Sequence, residues 1–266
     1  MSPACPSPDP IDPDALRAAG FAAVELLAET ESTMVRAREL AADAVCQLPA
    51  AVIADRQTLG RGQRGARWWQ PPGSLAVSIV LAADAGAPPP AWSLACGVAL
   101  AETLRAVEPA VEAVVRWPND IEVAGRKLAG ILVETVARGR TIFGIGVNTT
   151  GRATDAPAAL VQRVATLPDL VGAMVPRERI LVEFLPRLRR LLGELTADPA
   201  LLSDRYRPLC ALHGAPVTIH VGAERHHGLC RGIAVDGSLV LDTPAGRMRF
   251  ASGSLTDPAA VWRGDG

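Results

Sequence analysis

The chain has 266 residues, of which 49% are hydrophobic and 21% are charged, so it carries enough apolar mass for a sizeable core and is not intrinsically disordered. Its 27 basic and 28 acidic residues give a net charge of −1, which excludes a general attraction to DNA or to an anionic membrane surface. The long uncharged stretches are broken by proline and glycine, so the sequence predicts no membrane span.

The first half of the chain predicts a mixed sheet with helices between its strands. Residues 1–13 are rich in proline and predict a disordered tail. Short apolar segments then predict strands, and Ser32 or Thr33 predicts the start of a helix. Pro90 marks the start of a longer helix. The predicted strands are 24–30, 51–54, 75–81, 111–117, 121–123, 128–136 and 141–148, and the predicted helices are 33–43 and 90–107.

The sequence pattern of the second half of the chain differs from that of the first half. After Pro176, apolar residues from Ile180 to Leu195 recur at helical spacing, and Pro186 predicts a kink in that helix. Beyond residues 206–208, short apolar segments separated by frequent glycines predict a small all-β barrel. We therefore expect an α+β protein with a tail at 1–13, a catalytic domain at 14–207 and a barrel at 208–263.

Two residue types are scarce enough for the remaining examples to be informative. The chain has one lysine, Lys127, and two asparagines, Asn119 and Asn148, all in its middle third. Nearly all other positive charges are arginines, and a planar guanidinium cannot replace a compact ammonium where a point charge is needed. Lys127 is therefore a candidate for chemistry, although a surface lysine in a hairpin is the alternative interpretation.

Residues 60–68 form a glycine- and arginine-rich segment. Its alternating glycines let backbone N–H groups approach an anion, and Arg61, Arg64 and Arg67 supply charge-assisted donors. The segment predicts a polyphosphate-binding loop, but it has neither the Gly-Lys-Ser/Thr end of a P-loop nor the helix of a dinucleotide fingerprint. A solvated basic loop without a function is the alternative.

Several blocks of sequence, taken together, resemble one enzyme family. The blocks are Glu31–Thr33, Gln57, Gly60–Gly62, Arg64–Gly65, Trp68, Trp117–Asp120, Arg126–Glu134 and Gly144–Asn148. In this order and at this spacing they resemble the biotin protein ligases, which activate biotin with ATP and attach it to a lysine of a carrier domain. The scarce lysine and asparagines fall inside these blocks, so two independent arguments point to the same residues.

The resemblance implies a fold and a reaction. The fold is a mixed sheet flanked by helices, of the class II synthetase-like, biotin/lipoate ligase type, followed by a small SH3-like barrel. The reaction forms biotinyl-5'-AMP from biotin and ATP, with Mg²⁺ on the departing pyrophosphate. Biotin is then transferred to a lysine of the biotin carboxyl carrier domain of acetyl-CoA carboxylase or a related carboxylase. We expect a cytoplasmic ligase without DNA or membrane partners, and pairing of sheet edges into a homodimer stays open.

The resemblance also implies catalytic roles. Lys127 would lie between the biotin carboxylate and the α-phosphate and follow the developing negative charge. Arg61 and Arg64 would close the glycine-rich loop over the phosphate and exclude water. Asp120 would orient or deprotonate the acceptor lysine. Asp120 and Asn119 are also compatible with structural roles in a turn.

For biotin and the nucleotide, the resemblance implies directed hydrogen bonds in an apolar slot. Asn148 is expected to face the phosphates or the ribose, and a plain helix N-cap is the competing interpretation of Ser32. The implied binding residues are Ser32, Thr33, Gln57, Gly60, Gly62, Gln63, Trp68, Asn119, Gly130, Leu132 and Asn148.

The chain departs from the family pattern at several positions. Gln63 stands where the family has an arginine linked to holding the activated intermediate, which predicts looser retention of the adenylate. The departures at Met34, Ala76, Arg116 and 253–255 are interpreted as drift, away from the chemistry.

Other functions and a metal site were weighed. A lipoate or other acyl protein ligase shares the implied fold, and a non-catalytic biotin-binding module is a further alternative. A biotin-sensing repressor is not expected, because the roughly 30 residues before Ser32 are too few for a DNA-binding domain with its own core. Five cysteines, an odd number, favour a reducing compartment. The spacings of Cys210, His213, His227 and Cys230 are compatible with zinc, although the implied barrel folds without metal.

Overall fold

The computed structural model describes residues 9–60, 62, 68–82 and 89–256, which form two β-sheets with helices packed on the larger one. Arg61, Gln63 and Arg64 lie outside the described residues, as do residues 257–263 of the predicted barrel. Within the described ranges, no helix combines the length and apolar character needed to cross a bilayer.

The larger sheet has seven strands. They are β1 (Ala23–Thr30), β2 (Ala50–Gln57), β3 (Leu75–Ala82), β4 (Val114–Arg116), β5 (Asp120–Val123), β6 (Arg126–Val136) and β7 (Arg140–Val147). Their order is β1-β2-β3-β7-β6-β5-β4, and every neighbouring pair is antiparallel except β1 with β2. The sheet is therefore mixed, as predicted.

Helices cover both faces of this sheet. They are α1 (Pro13–Ala18), α2 (Thr33–Ala42), α3 (Pro89–Val107), α4 (Leu167–Val171), α5 (Arg177–Ala197) and α6 (Leu201–Tyr206). Phe143 and Ile145 of β7 face the main core with α3 and α5, whereas Ile142 packs with Met34 of α2 in a smaller cluster. Because side chains alternate along a strand, Gly144 and Gly146 share the α2 face with Ile142.

The second sheet follows the helices. Its strands are β8 (Pro216–Val221), β9 (Glu224–Ile233), β10 (Leu239–Thr243), β11 (Gly246–Phe250) and β12 (Ser254–Leu255), in the antiparallel order β11-β10-β9-β8-β12. This sheet is consistent with an SH3-like domain, although its pairing closes no barrel among the described residues. Its inward residues, such as Ile219, Cys230 and Leu241, belong to the same hydrophobic core as α3 and α5.

The structure corrects the predicted tail and some element boundaries. Asp9 accepts a hydrogen bond from the backbone N–H of Arg177 at 2.8 Å, and Asp12 caps α1, so the tail prediction is wrong for residues 9–13. The strand predicted at 111–117 is only three residues long, and α5 continues through Pro186. The short helices α1, α4 and α6 were not predicted, since a helix of one to two turns leaves little periodicity in a sequence.

Candidate active site

A cavity of about 320 Å³ lies on the α2 face of the larger sheet. Its walls come from the first turn of α2, the end of β2, Gly62, Trp68 and the loop after β4. Gly253–Leu255 of the second sheet complete the wall. Both sheets therefore contribute to one site.

The floor of the cavity follows a line of paired residues across four strands. Gly146 on β7 pairs with Gly130 on β6, Gly130 pairs with Asp120 on β5, and Asp120 pairs with Arg116 on β4. Directly paired residues in a sheet share a face, so all four point to the same side. We call these four residues the floor line. It runs from small glycines to charged side chains.

Glycine is required on this floor because large side chains lie against it. A Cβ atom on Gly146 would lie 2.8 Å from Cε2 of Trp68, and one on Gly144 would lie 2.5 Å from Sδ of Met34. The indole of Trp68 therefore rests on bare backbone. Lys127 Nζ lies 5.5 Å from the centre of this ring, within cation–π range.

The end of the cavity nearest β3 carries a hydrogen-bonded polar group. Gln57 Oε1 accepts from the Thr33 backbone N–H at 2.9 Å and lies 3.2 Å from the Thr33 hydroxyl, which accepts from Ser78 at 2.8 Å. The Ser32 hydroxyl accepts from the Met34 N–H at 3.3 Å and caps α2. Ser32 and Thr33 are 9% and 3% exposed, so this end can orient a ligand without water. Ser32 is therefore both a helix cap and a cavity residue.

Lys127 lies beside the floor line, at its centre. Its Nζ is 2.6 Å from Asp120 Oδ1, a buried oxygen, and the two side chains are about one third and one quarter exposed. The backbone is fixed on its other side, where Lys127 N donates to Arg163 O and Ala165 N donates to Lys127 O, each at 2.8 Å. The ammonium is thus held by one carboxylate that a bound anion can replace.

The loop between β4 and β5 is anchored on two sides. Asn119 Nδ2 donates to Ile131 O at 2.7 Å, and Ile131 N donates back to Asn119 O at 2.9 Å. Trp117 is 1% exposed, and its indole N–H donates to Gly237 O of the second sheet at 3.0 Å. This loop therefore connects the second sheet to the residues around Asp120.

Most predicted site residues that the structure describes line this cavity. They are Ser32, Thr33, Gln57, Gly62, Trp68, Asn119, Asp120, Lys127, Gly130 and Leu132. Gly60 lies instead in a neighbouring cavity of about 540 Å³, whose wall also includes Gln57 and Trp68. Asn148 is 1% exposed, outside the cavity wall, with its Nδ2 donating to Ala165 O at 2.9 Å. Its predicted contact with the nucleotide stays a prediction.

Three of the departures interpreted as drift lie on the cavity wall. They are Met34, Arg116 and the segment Gly253–Leu255, whereas Ala76 is a core residue. No local signal in the sequence places Arg116 at the cavity, because the two valines before it show no alternation of polar and apolar residues and its position depends on the pairing of β4 with β5. Nothing in the sequence places Gly253–Leu255 beside α2, since that contact depends on how the two sheets pack.

The four residues considered for a zinc site form no metal-binding group of three or more among the described residues, although the thiols of Cys210 and Cys230 lie together. His227 Nδ1 lies 3.1 Å from Thr218 Oγ1, and the buried sulfur of Cys230 accepts from Gly232 N at 3.4 Å. In the part of the chain that the structure describes, no three His, Cys, Asp or Glu side chains are placed to hold a metal. A hydrogen bond between the thiols lowers the pKa of Cys210 and raises that of Cys230.

Comparisons with known proteins agree with this geometry. The model of the Biotin/lipoate A/B protein ligase family matches residues 27–150. A biotin–[acetyl-CoA-carboxylase] ligase of Paracoccus denitrificans is 36% identical over 233 residues, covering 84% of this chain and 95% of that protein. The ligase of the same name from Mycobacterium tuberculosis is 32% identical over 260 residues, covering 92% and 95%.

A solved structure extends the agreement to the fold. The biotin protein ligase from Aquifex aeolicus in complex with biotin and ATP superposes with a TM-score of 0.78 at 26% identity, covering 89% of this chain and 98% of that one. The mixed sheet, the second small sheet and the cavity between them therefore define a ligase of the biotin/lipoate class. Within that class, the chain belongs to the biotin protein ligase family.

Proposed function

We propose that this chain forms biotinyl-5'-AMP from biotin and ATP and then transfers biotin to a lysine of a biotin carboxyl carrier domain. The observation that carries the proposal is the position of Lys127. The only ammonium-bearing side chain of the chain lies between a buried polar end of the cavity and a charged end. The names of the relatives, which include acetyl-CoA carboxylase, support a carrier domain of that enzyme as the partner.

In the first step, two anions have to meet. Ser32, Thr33 and Gln57 offer the hydrogen bonds that orient the biotin ring, with the carboxylate directed along the floor line. Lys127 leaves Asp120 and neutralises both the carboxylate and the α-phosphate. A carboxylate oxygen attacks the α-phosphorus, and a new O–P bond forms. The bond to the β-phosphate breaks, and its electron pair leaves with pyrophosphate.

In the second step, the acceptor lysine attacks the acyl carbon of the adenylate. Its amine has to be neutral, and the released Asp120 carboxylate is the base within the cavity. The amide bond forms as AMP departs. The same carboxylate thus serves two ammonium groups in turn, that of Lys127 before the reaction and that of the acceptor during it.

Other groups complete the proposed site. Asp120 is the one carboxylate among the described lining residues, so Mg²⁺ would take an oxygen from it and the remaining ligands from phosphates and water. When bound, Mg²⁺ would offset the charge of pyrophosphate. Arg61 and Arg64 are proposed to close over the α-phosphate. The four described cysteines are free, which fits a reaction in the cytoplasm.

Pyrophosphate release tests the proposal directly. We expect release with ATP plus biotin, no release with ATP plus lipoate, and biotin on a purified carrier domain when that domain is added. Release that depends on lipoate would favour the alternative acyl ligase. Biotin binding without pyrophosphate release would favour a non-catalytic binding module.

A further inference from the structure

Arg116 occupies the far end of the floor line. The line crosses β7, β6, β5 and β4 at about 4.8 Å per strand, so Arg116 lies about 10 Å from Gly130. Ser32 and Thr33 lie at the opposite end, because Thr33 bonds to β3 and the next residue in α2 contacts β7. Lys127 is between the two ends.

This order fixes the direction in which the leaving group departs. In phosphoryl chemistry the attacking and leaving oxygens are roughly in line through phosphorus. A biotin carboxylate that arrives from the Ser32 end therefore drives pyrophosphate away from that end. The opposite direction along the floor line leads past Asp120 to Arg116.

The Arg116 side chain has the charge and the hydrogen-bond donors that bind pyrophosphate. Arg116 lines the cavity and its side chain is 18% exposed, so its charge is little screened by water. Its Nε lies 3.6 Å from Glu122 Oε1, which is longer than a hydrogen bond. The ion pair keeps the charge of Arg116 beside the cavity. A guanidinium binds phosphate oxygens through two parallel N–H groups.

We propose that Arg116 binds the β- and γ-phosphates of ATP and then the departing pyrophosphate. This assignment rests on the proposed function, because it needs ATP in the cavity. Lys127 and Arg116 then act on different phosphates of ATP. Lys127 stabilises the α-phosphate, which stays with biotin, and Arg116 stabilises the part that leaves.

The two half-reactions separate this role from a structural one. Pyrophosphate takes part in adenylate formation and its reversal, but not in transfer from added biotinyl-5'-AMP to the carrier domain. For Arg116→Gln we expect the KM for ATP and for pyrophosphate to rise about 10- to 100-fold. We expect the KM for biotin and the rate of transfer from biotinyl-5'-AMP to stay within about twofold.

Two further variants are controls that distinguish a loss of phosphate binding from a folding defect. Arg116→Lys keeps the charge and should recover part of the affinity for pyrophosphate. Arg205→Gln breaks another partly buried arginine–glutamate pair, with Glu102 on α3 at 2.8 Å. Neither residue of that pair is among the described residues that line the cavity, so this variant should change neither half-reaction. Equal losses in both half-reactions of Arg116→Gln, or an unchanged KM for ATP and pyrophosphate, would overturn the assignment alone. A wild-type chain without biotin-dependent pyrophosphate exchange would overturn the proposed function as well.

Discussion

The side chain of Lys127 is defined by its size as much as by its charge. The ammonium lies 2.6 Å from Asp120 and 5.5 Å from the ring centre of Trp68, with Gly130 beneath it. A Cβ on Gly130 would lie 3.3 Å from the Lys127 nitrogen. The space is therefore shaped for a compact cation, and a broader planar group would have to displace its neighbours.

Lys127→Arg tests this requirement. The substitution keeps the charge but cannot place a point charge between carboxylate and α-phosphate. We expect adenylate formation to fall by at least about 100-fold, equivalent to about 3 kcal/mol of transition-state stabilisation, with biotin binding retained. Pyrophosphate release measures the rate, and the melting temperature is the folding control. Near-normal rates at unchanged stability would show that Lys127 is not the electrostatic centre.

Gly146→Ala tests the floor beneath Trp68. The added Cβ would lie 2.8 Å and 2.9 Å from two indole carbons, so the ring has to move away from the floor of the cavity. We expect a loss of stability of about 1–3 kcal/mol in urea denaturation, together with weaker biotin binding. Gly193→Ala is the matched control.

Gly193 lies inside α5, and beyond the adjacent backbone of that helix no atom of the described residues lies within 4 Å of the position that its Cβ would take. Alanine there should stabilise the chain by about 0.5–1 kcal/mol, because glycine is a poor helix former. If both alanine variants raised the stability of the chain, the requirement for glycine at position 146 would be refuted.

Among the elements, the second sheet carries an ion-pair centre that responds to pH. Asp242 on β10 accepts from Arg247 on β11 at 2.7 Å and from Arg231 on β9 at 2.6 Å. These hydrogen bonds, that from Arg247 first, lower the pKa of Asp242 to about 2. In the unfolded chain an aspartate titrates near 3.9.

This difference predicts the sign of a pH effect. The folded state binds the Asp242 proton less tightly than the unfolded state, so the stabilisation is complete above about pH 4 and disappears as the pH falls towards 2. The melting temperature of Asp242→Asn should therefore lie below that of the wild type at pH 7 and approach it at acidic pH. A gap that stays constant between pH 7 and pH 2 would contradict this account.

The elements also show which parts of the fold are readable from sequence. The strands of the larger sheet were predicted because each is a short apolar run bounded by turn residues. The helix α3 was predicted because Pro90 marks its start, and α5 because its apolar positions repeat over several turns. Lys127 and Asp120 could be predicted to share the cavity because their motifs are local and because Lys127 is the only lysine in the sequence. Arg116 was missed as a site residue because its place depends on the pairing of β4 with β5, which a sequence does not display.

At the scale of the whole molecule, the two sheets behave as parts of one core. Inward residues of the second sheet belong to the same hydrophobic cluster as α3 and α5. The hydrogen bond from Trp117 to Gly237 crosses this junction, between residues 120 positions apart. We therefore expect one cooperative unfolding transition for the described residues.

Trp117→Phe tests the junction. It removes the indole donor and leaves a buried carbonyl unpaired, which costs about 1–3 kcal/mol, or a few degrees of melting temperature. Trp92→Phe is the matched control, because Trp92 is also buried but its indole N–H has no partner among the described residues. It should lose less stability than Trp117→Phe. Equal losses, or separate transitions for the two sheets in the wild type, would contradict a shared core.

The contribution of Gly253–Leu255 to the cavity has a consequence for the order of synthesis. The wall begins at Ser32 and is complete only at Leu255, so a ribosome has to make nearly the whole chain before the pocket exists. A premature stop just before residue 253 would release a chain that has the residues of all seven strands of the larger sheet but lacks β12 and this part of the pocket wall.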